Sequence, residues 1–301
     1  MRQIERLPDP PENDLGLPDG LFLFTDIVVA IDNLKGRAMA IAAVPVDDLT
    51  TEEQLRLAYD EAAERTEKIV RRLDEKPSPG ALALKGEPEQ DPPFESSIRR
   101  EQYEAGVETI RDYIRAGDAF QVVLSQRLGF SLEAPPFDLY RALRSLNPSP
   151  YLYFLEVDGV TLVGCSPEVL VRVEDGTVTV RPIAGTRPRG RTPEEEQDLA
   201  EDLLADEKEL AEHRMLVDLG RNDVGRVAEY GSVTVPDLMV VERYSHVMHI
   251  VSQVEGQVIE GLGAVDVFKA CFPAGTVSGA PKVRAMEIID ELEPVCRGPY
   301  A

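Results

Sequence analysis

The sequence predicts an α+β fold in which antiparallel β-sheets pack with helices. Two features carry that reading. Asp158-Gly159 and Asp175-Gly176 are strong hairpin turns within NPSPYLYFLEVDGVTLVGCSPEVLVRVEDGTVTVRPIAGTRPRG, which makes residues 147–190 an antiparallel meander and not a βαβ repeat. Thr192 to Asp223 then carries apolar residues at helical spacing, Leu199, Leu203, Leu210 and Val217, as one long amphipathic helix with a buried stripe.

Taken in order, residues 1–20 read as a Pro- and Asp-rich connector, and LFLFTDIVVAI and RAMAIAAV as two strands around Asp32-Asn33. A helix over Thr50 to Asp74 opens with a Thr50/Glu53 capping box. The Pro- and Gly-rich run KPSPGALALKGEPEQDPP reads as a linker, so residues 1–93 form the edge of a larger N-terminal layer and 94–301 the main domain. In that domain SSIRREQYEAGVETIRDYIRAGD is a helix stopped at Gly117, FQVVLSQRLGF an alternating strand and FDLYRALRSLN a short helix before the meander. The acidic helix starts with Thr192 as cap, Pro193 in the first turn and Glu195 at the capping-box position. RYSHVMHIVSQVEGQV is a strand, AVDVFKACF a helix, and PAGTVSGAPK opens the last helix, VRAMEIIDELEP.

Composition narrows the function. A net charge of −23 over 301 residues argues against nucleic acid or anionic membrane as partner, and an anionic substrate would need a metal or helix N-termini to offset the field. Cys165, Cys271 and Cys296 stand at no metal or redox spacing and read as buried thiols. With no signal-peptide core and no apolar run of membrane length, a soluble cytoplasmic protein is expected.

Several residues can carry chemistry. Glu209 and Glu212 lie three apart where the acidic helix turns apolar; as oxygen-only ligands they suit Mg²⁺, and as part of a charge run they suit a solvated face. Gly275 to Gly279, ahead of a helix, can offer free N–H groups to a carboxylate or oxyanion, or form a plain turn with Ser278 as cap. Gly185-Thr186 let backbone approach a ligand closely, or simply turn out of a strand. His246 and His249, three apart on one strand, point to opposite faces, so only one can face a site.

The runs FQVVLSQR, NPSPY, GCSPE, PIAGTRPRG, DEKELAEHRMLVDLGRND, RYSHVMHIVS, FPAGTVSGAPKVRAMEIIDELEP and RGPY follow one another from Phe120 to Tyr300. Together they resemble the chorismate-utilising enzymes, most closely the large subunits of anthranilate synthases. The resemblance implies the chorismate-binding enzyme fold and amination of chorismate with loss of its ring hydroxyl. Elimination of pyruvate then leaves anthranilate, the first committed step of tryptophan biosynthesis. It implies Mg²⁺ on the ring carboxylate, held by Glu212 and Glu209, and ammonia from a glutamine amidotransferase partner. It makes His249, Glu168 and Thr276 catalytic, with Glu168 matching the acid that protonates the leaving hydroxyl in sister enzymes. Gly185, Thr186, Gly275 and Tyr300 become chorismate contacts, and Pro150, Tyr151 and Leu152 the remnant of an inhibitory tryptophan pocket.

Two positions separate the sister reactions. Water-adding members of the family carry a lysine base where this sequence has Gln121, and aminodeoxychorismate synthases a lysine nucleophile where it has Ala184. Neither substitute can do that work, which leaves ammonia as the nucleophile; the alternatives are the aminodeoxychorismate reaction or a silent scaffold. The family pattern begins before Met1 and continues past Tyr300 with a second glutamate pair, a substrate-gripping arginine and closing strands. The resemblance therefore implies a chain truncated at both ends.

Overall fold

The computed structural model describes residues 4–7, 10–47, 50–75, 80, 93–147, 149–244 and 246–300. The expected linker, residues 76–93, lies almost wholly outside them. The chain divides into two compact units, Pro18–Ala83, and Met1–Leu17 together with Leu84–Ala301.

In the smaller unit β1 (Ile27–Asp32) pairs antiparallel with β2 (Arg37–Ala42), and α1 (Glu52–Asp74) follows. The strand starts later than LFLF suggested, at Ile27, and the Phe24 side chain is 99% exposed. The α1 capping box forms one residue along from the expected pair, between Thr51 and Gln54, because the Thr50 hydroxyl is engaged with Asp47.

The larger unit contains, in order, β3 (Glu95–Ser96), α2 (Arg100–Ala116), β4 (Gln121–Val122), β5 (Leu128–Gly129), α3 (Pro136–Leu146), β6 (Tyr151–Val157), β7 (Val160–Ser166), β8 (Arg172–Glu174), β9 (Thr177–Val180) and β10 (Ile183–Pro188). Then come α4 (Pro193–Ala205), α5 (Glu207–Gly225), β11 (Thr234–Arg243), β12 (Val247–Gln257), α6 (Ala264–Cys271), the single turn α7 (Gly275–Ser278), β13 (Gly279–Ala280) and α8 (Lys282–Leu292). Helices on antiparallel strands give the expected α+β class. Residues 4–17 do more than connect: Glu12 bridges to Val295, its carbonyl accepts from the Cys296 N–H at 2.8 Å, and Asp14 pairs with Arg127.

The hairpins turn as expected, with positive φ at Asp158, Gly159, Asp175 and Gly176. The meander, however, is not continuous. β6 and β7 form a sheet of their own, and β12 inserts between β10 and β9, with β11 on β12. β12 buries Met248, Ile250, Ser252 and Val254 along one face and Val251 on the other, and the strand that gives most to the core takes a central position whatever the chain order. FQVVLSQRLGF likewise does not form one strand: β4 bridges to β13 and β5 to β3.

The acidic helix breaks at Asp206, whose ψ of 104° ends α4. Its carboxylate accepts from the N–H groups of Lys208 (3.1 Å) and Glu209 (3.2 Å), so one aspartate stops one helix and caps the next. Thr192 caps α4 through the Glu195 N–H at 3.2 Å, while the Glu195 carboxylate goes to the Arg191 N–H and leaves the box half closed. The predicted stripe keeps its role: Leu203 of α4 packs on Met248 and Ile250, and Val217 and Val224 of α5 pack with Val178, Val254 and Val267.

Two glycines test this packing. A Cβ at Gly256 would stand 2.6 Å from Ala228 Cβ and 2.9 Å from Val224 Cγ1, so Gly256→Ala is expected to cost about 1–3 kcal/mol in urea unfolding. At Gly220 in α5 a Cβ meets Pro182 Cγ at 3.4 Å, an ordinary contact. Gly220→Ala should be neutral or stabilising by up to about 1 kcal/mol.

Candidate active site

The site is built along α5 and the bulge in β10. Register between β10 and β12 slips between Ala184 and Thr186, and Gly185 there has φ +67°, where a side chain is strained. The bulge turns the Gly185 carbonyl to His249 Nδ1 (2.9 Å), with Thr186 Oγ1 3.1 Å from the same nitrogen. A carbonyl only accepts, so Nδ1 carries the proton in this contact and Nε2 is turned away from Gly185. A Cβ on Gly185 would fall 3.3 Å from Glu209 Oε2, so the bare backbone admits that carboxylate. His246, expected on the same strand, lies before β12 and is exposed; the alternation argument does not apply to it.

Glu212 faces β4. Gln121 Nε2 donates to Glu212 Oε1 at 3.1 Å, and Gln121 Oε1 is buried with no hydrogen-bond partner. Among the described residues no three His, Cys, Asp or Glu side chains form a metal cage. Two half-buried carboxylates and an unsatisfied amide oxygen are a donor set of oxygens alone. That fits Mg²⁺, which takes one or two carboxylates and fills its other positions with water and substrate.

Glu168 follows β7, its turn braced by the Ser166 hydroxyl, which donates to the Glu168 carbonyl at 3.1 Å. It is not the exposed turn glutamate it could have been: burial pushes its carboxyl up to about 7, against the opposing pull of Thr276 Oγ1, which donates to Glu168 Oε2 at 3.4 Å. The Tyr244 phenol, pushed up to about 12 by burial and by its bond to Glu242, lies edge-on to His249 with ring centroids 5.5 Å apart.

Gly275 and Thr276 belong to the single turn α7 and do not open the last helix, as the sequence had suggested; α8 starts after Pro281. The turn presses on α5, since a Cβ at Gly275 would be 2.2 Å from Leu219 Cδ2. Ala184 is a buried strand residue beside the bulge.

Tyr300 lies under the Arg297 guanidinium at 5.5 Å and lines a cavity of about 680 Å³ with Ser125, Arg127, Tyr153, Ser166 and Val277, the residue after Thr276. From the NPSPY region the side chain that reaches this cavity is Tyr153; Pro150, Tyr151 and Leu152 do not line it.

Sequence reasoning missed three supports. His213, fully buried and held neutral by burial that drops it to about 4, sits 2.6 Å from Ser252 Oγ, which accepts the Met239 N–H. Arg187 binds Asp202 and Asp206, and Arg189 binds Glu196, so the acidic run is partly neutralised from β10 and the loop after it. Lys282 forms a buried ion pair with Asp223 at 2.7 Å. A cation in the first turn of a helix opposes the helix dipole, and that was the one visible sign that Lys282 has a partner elsewhere.

The chorismate binding enzyme family profile matches residues 2–301, and the chain belongs to that family. It is 55% identical over 294 residues to anthranilate synthase component 1 of Pseudomonas putida, covering 97% of this chain and 57% of the relative. The Aquifex aeolicus protein of that name is 49% identical, covering 99% of this chain and 58% of the relative. The crystal structure of anthranilate synthase component I from Streptococcus pneumoniae superposes with a TM-score of 0.82 at 42% identity, over 99% of this chain and 63% of that one. The chain thus spans under two thirds of the length of these relatives.

Glu168 gives a pH test. Its folded value near 7 lies above the ordinary 4.5, so the folded state favours the neutral carboxyl and loses stability as pH rises between those values. Glu168→Gln is therefore expected to leave stability unchanged at pH 4 and to raise it by about 2–3 kcal/mol at pH 8, measured by urea unfolding at both.

Proposed function

We propose that the protein converts chorismate and ammonia to anthranilate, pyruvate and water, the first committed step of tryptophan biosynthesis. It would act in the cytoplasm with a glutamine amidotransferase that supplies the ammonia. The observation that supports this best is the pairing of an oxygen-only cation site on Glu209 and Glu212 with a separate neutral acid, Glu168, in a chain about half identical to proteins named anthranilate synthase component 1. No helix among the described residues is long and apolar enough to cross a membrane, which accords with that location.

The residues divide the work. Glu209 and Glu212 would hold Mg²⁺, which supplies charge to receive the ring carboxylate in a chain of net charge −23. Gln121 orients Glu212 through its amide N–H and cannot act as a base on water. Ala184 offers no amine for a covalent intermediate. Ammonia therefore attacks as itself. Glu168, raised by burial to about 7 and so still partly protonated at neutral pH, donates its proton to the leaving ring hydroxyl, and the Thr276 hydroxyl steadies the carboxylate that remains. His249, its Nδ1–H fixed on Gly185, has Nε2 free to take the ring proton when pyruvate leaves. Tryptophan as a feedback inhibitor would bind at Pro150, Tyr151 and Leu152, where β6 begins.

Given chorismate, Mg²⁺ and ammonium salt, the protein should accumulate anthranilate, read by its fluorescence and by chromatography. Isochorismate or 4-amino-4-deoxychorismate as the accumulating product would overturn the assignment. Glu212→Gln should weaken Mg²⁺ by at least the roughly 10- to 100-fold that even outer partners of metal ligands produce, measured by calorimetric titration; unchanged Mg²⁺ affinity would remove Glu212 from the site.

A further inference from the structure

Lys282 is only 8% exposed, and its ammonium is fully used. Nζ is 2.7 Å from Asp223 Oδ2, and donates to the Cys271 carbonyl at 2.8 Å and the Pro273 carbonyl at 3.0 Å. Three protons thus meet three acceptors. Asp223, 5% exposed, belongs to α5, whereas the two carbonyls belong to the segment leading into Gly275 and Thr276. An ion pair alone would tie α8 to α5; the two carbonyl bonds do something else, fixing the path of the loop that presents Thr276 to Glu168. On the far side of the turn Arg297 Nη1 donates to the Val277 carbonyl at 2.6 Å, so the loop is gripped before and after Thr276.

We propose that Lys282 is a positioning residue, anchoring the Gly275–Thr276 turn to α5 through Asp223 so that the Thr276 hydroxyl stays on Glu168. The anchor is suited to precision. Arg could keep the charge, but a planar guanidinium cannot direct single bonds to two carbonyls and a carboxylate from one nitrogen. The groups around the pair are Arg226 and the Cys271 thiol at Asp223, and Tyr244, with Glu242 and Arg181 beyond it, at Glu168.

The test reads the ionisation of Glu168 directly, as the pH midpoint of the infrared carboxyl band that Glu168→Gln removes. Thr276 holds this midpoint down, so Thr276→Val should raise it. Lys282→Met combined with Asp223→Leu removes one charge of each sign, avoids an unpaired buried ion and keeps the core filled. It should raise the midpoint as much as Thr276→Val does, and adding Thr276→Val to it should give no further shift. A folded double variant with the wild-type midpoint, or shifts that simply add, would overturn the proposal. Should that variant fail to fold, Lys282→Arg carries the test: the same rise supports the anchor and an unmoved midpoint refutes it. The proposal rests on the proposed reaction only for its effect on turnover. Because the midpoint needs no turnover, an inactive protein with the predicted shifts would sink the reaction and leave the anchor standing.

Discussion

Three polar anchors along the 19 residues of α5 fix where its carboxylates point. At the start Asp206 caps the helix and is held by Arg187 at 3.0 Å; in the middle His213 meets Ser252 of β12; at the end Asp223 meets Lys282. Val217, and Val224 next to Asp223, bury the helix on the sheet. Apolar packing alone resists rotation of a helix weakly, since neighbouring rotamers bury similar area. Buried polar pairs tolerate no such slip, because a misplaced partner leaves an unsatisfied charge, and losing one side of the Asp223–Lys282 pair would cost about 3–5 kcal/mol. With the helix seated this way, Glu209 Oε2 lies at the Gly185 bulge of β10 and Glu212 reaches Gln121.

The same seating separates two kinds of carboxylate in a strongly acidic chain. Asp206, Glu196 and Asp202 are met by arginines, and for Asp206 and Glu196 hydrogen bonds hold the carboxyl below its ordinary value. Among the described residues no cation pairs with Glu168, and burial raises it to the range where a carboxylic acid can still donate at neutral pH. Asp223 is also raised, to about 6, by burial that Lys282 only partly offsets. Environment, not residue type, sets these carboxyls apart: arginines and hydrogen bonds hold Asp206 and Glu196 down, and burial raises Glu168.

Much of this was legible in the sequence, but unevenly. The apolar stripe of the acidic stretch and the two Asp-Gly hairpins depend on local periodicity and turn chemistry, and both appear in the structure. The break at Asp206 was hidden because the stripe continues across it, and an aspartate among ten acidic residues does not stand out as a cap. The insertion of β12 was hidden because alternation tells which face a residue takes, not which strand lies alongside. Glu209 and Glu212 were weak candidates by spacing and became strong ones only through the family motifs. The bond of Glu212 to Gln121, like that of Lys282 to Asp223, joins residues far apart in the chain and needed the fold to be seen.

In the proposed reaction α5 and β4 together hold the cation that receives the substrate. Diffraction from crystals in which Mn²⁺ replaces Mg²⁺ tests it most directly, since the metal is located by its anomalous signal without assuming any role. The account predicts a peak between the carboxylates of Glu209 and Glu212, beside Gln121. A peak on other carboxylates of the acidic run, or none at saturating Mn²⁺, would contradict it.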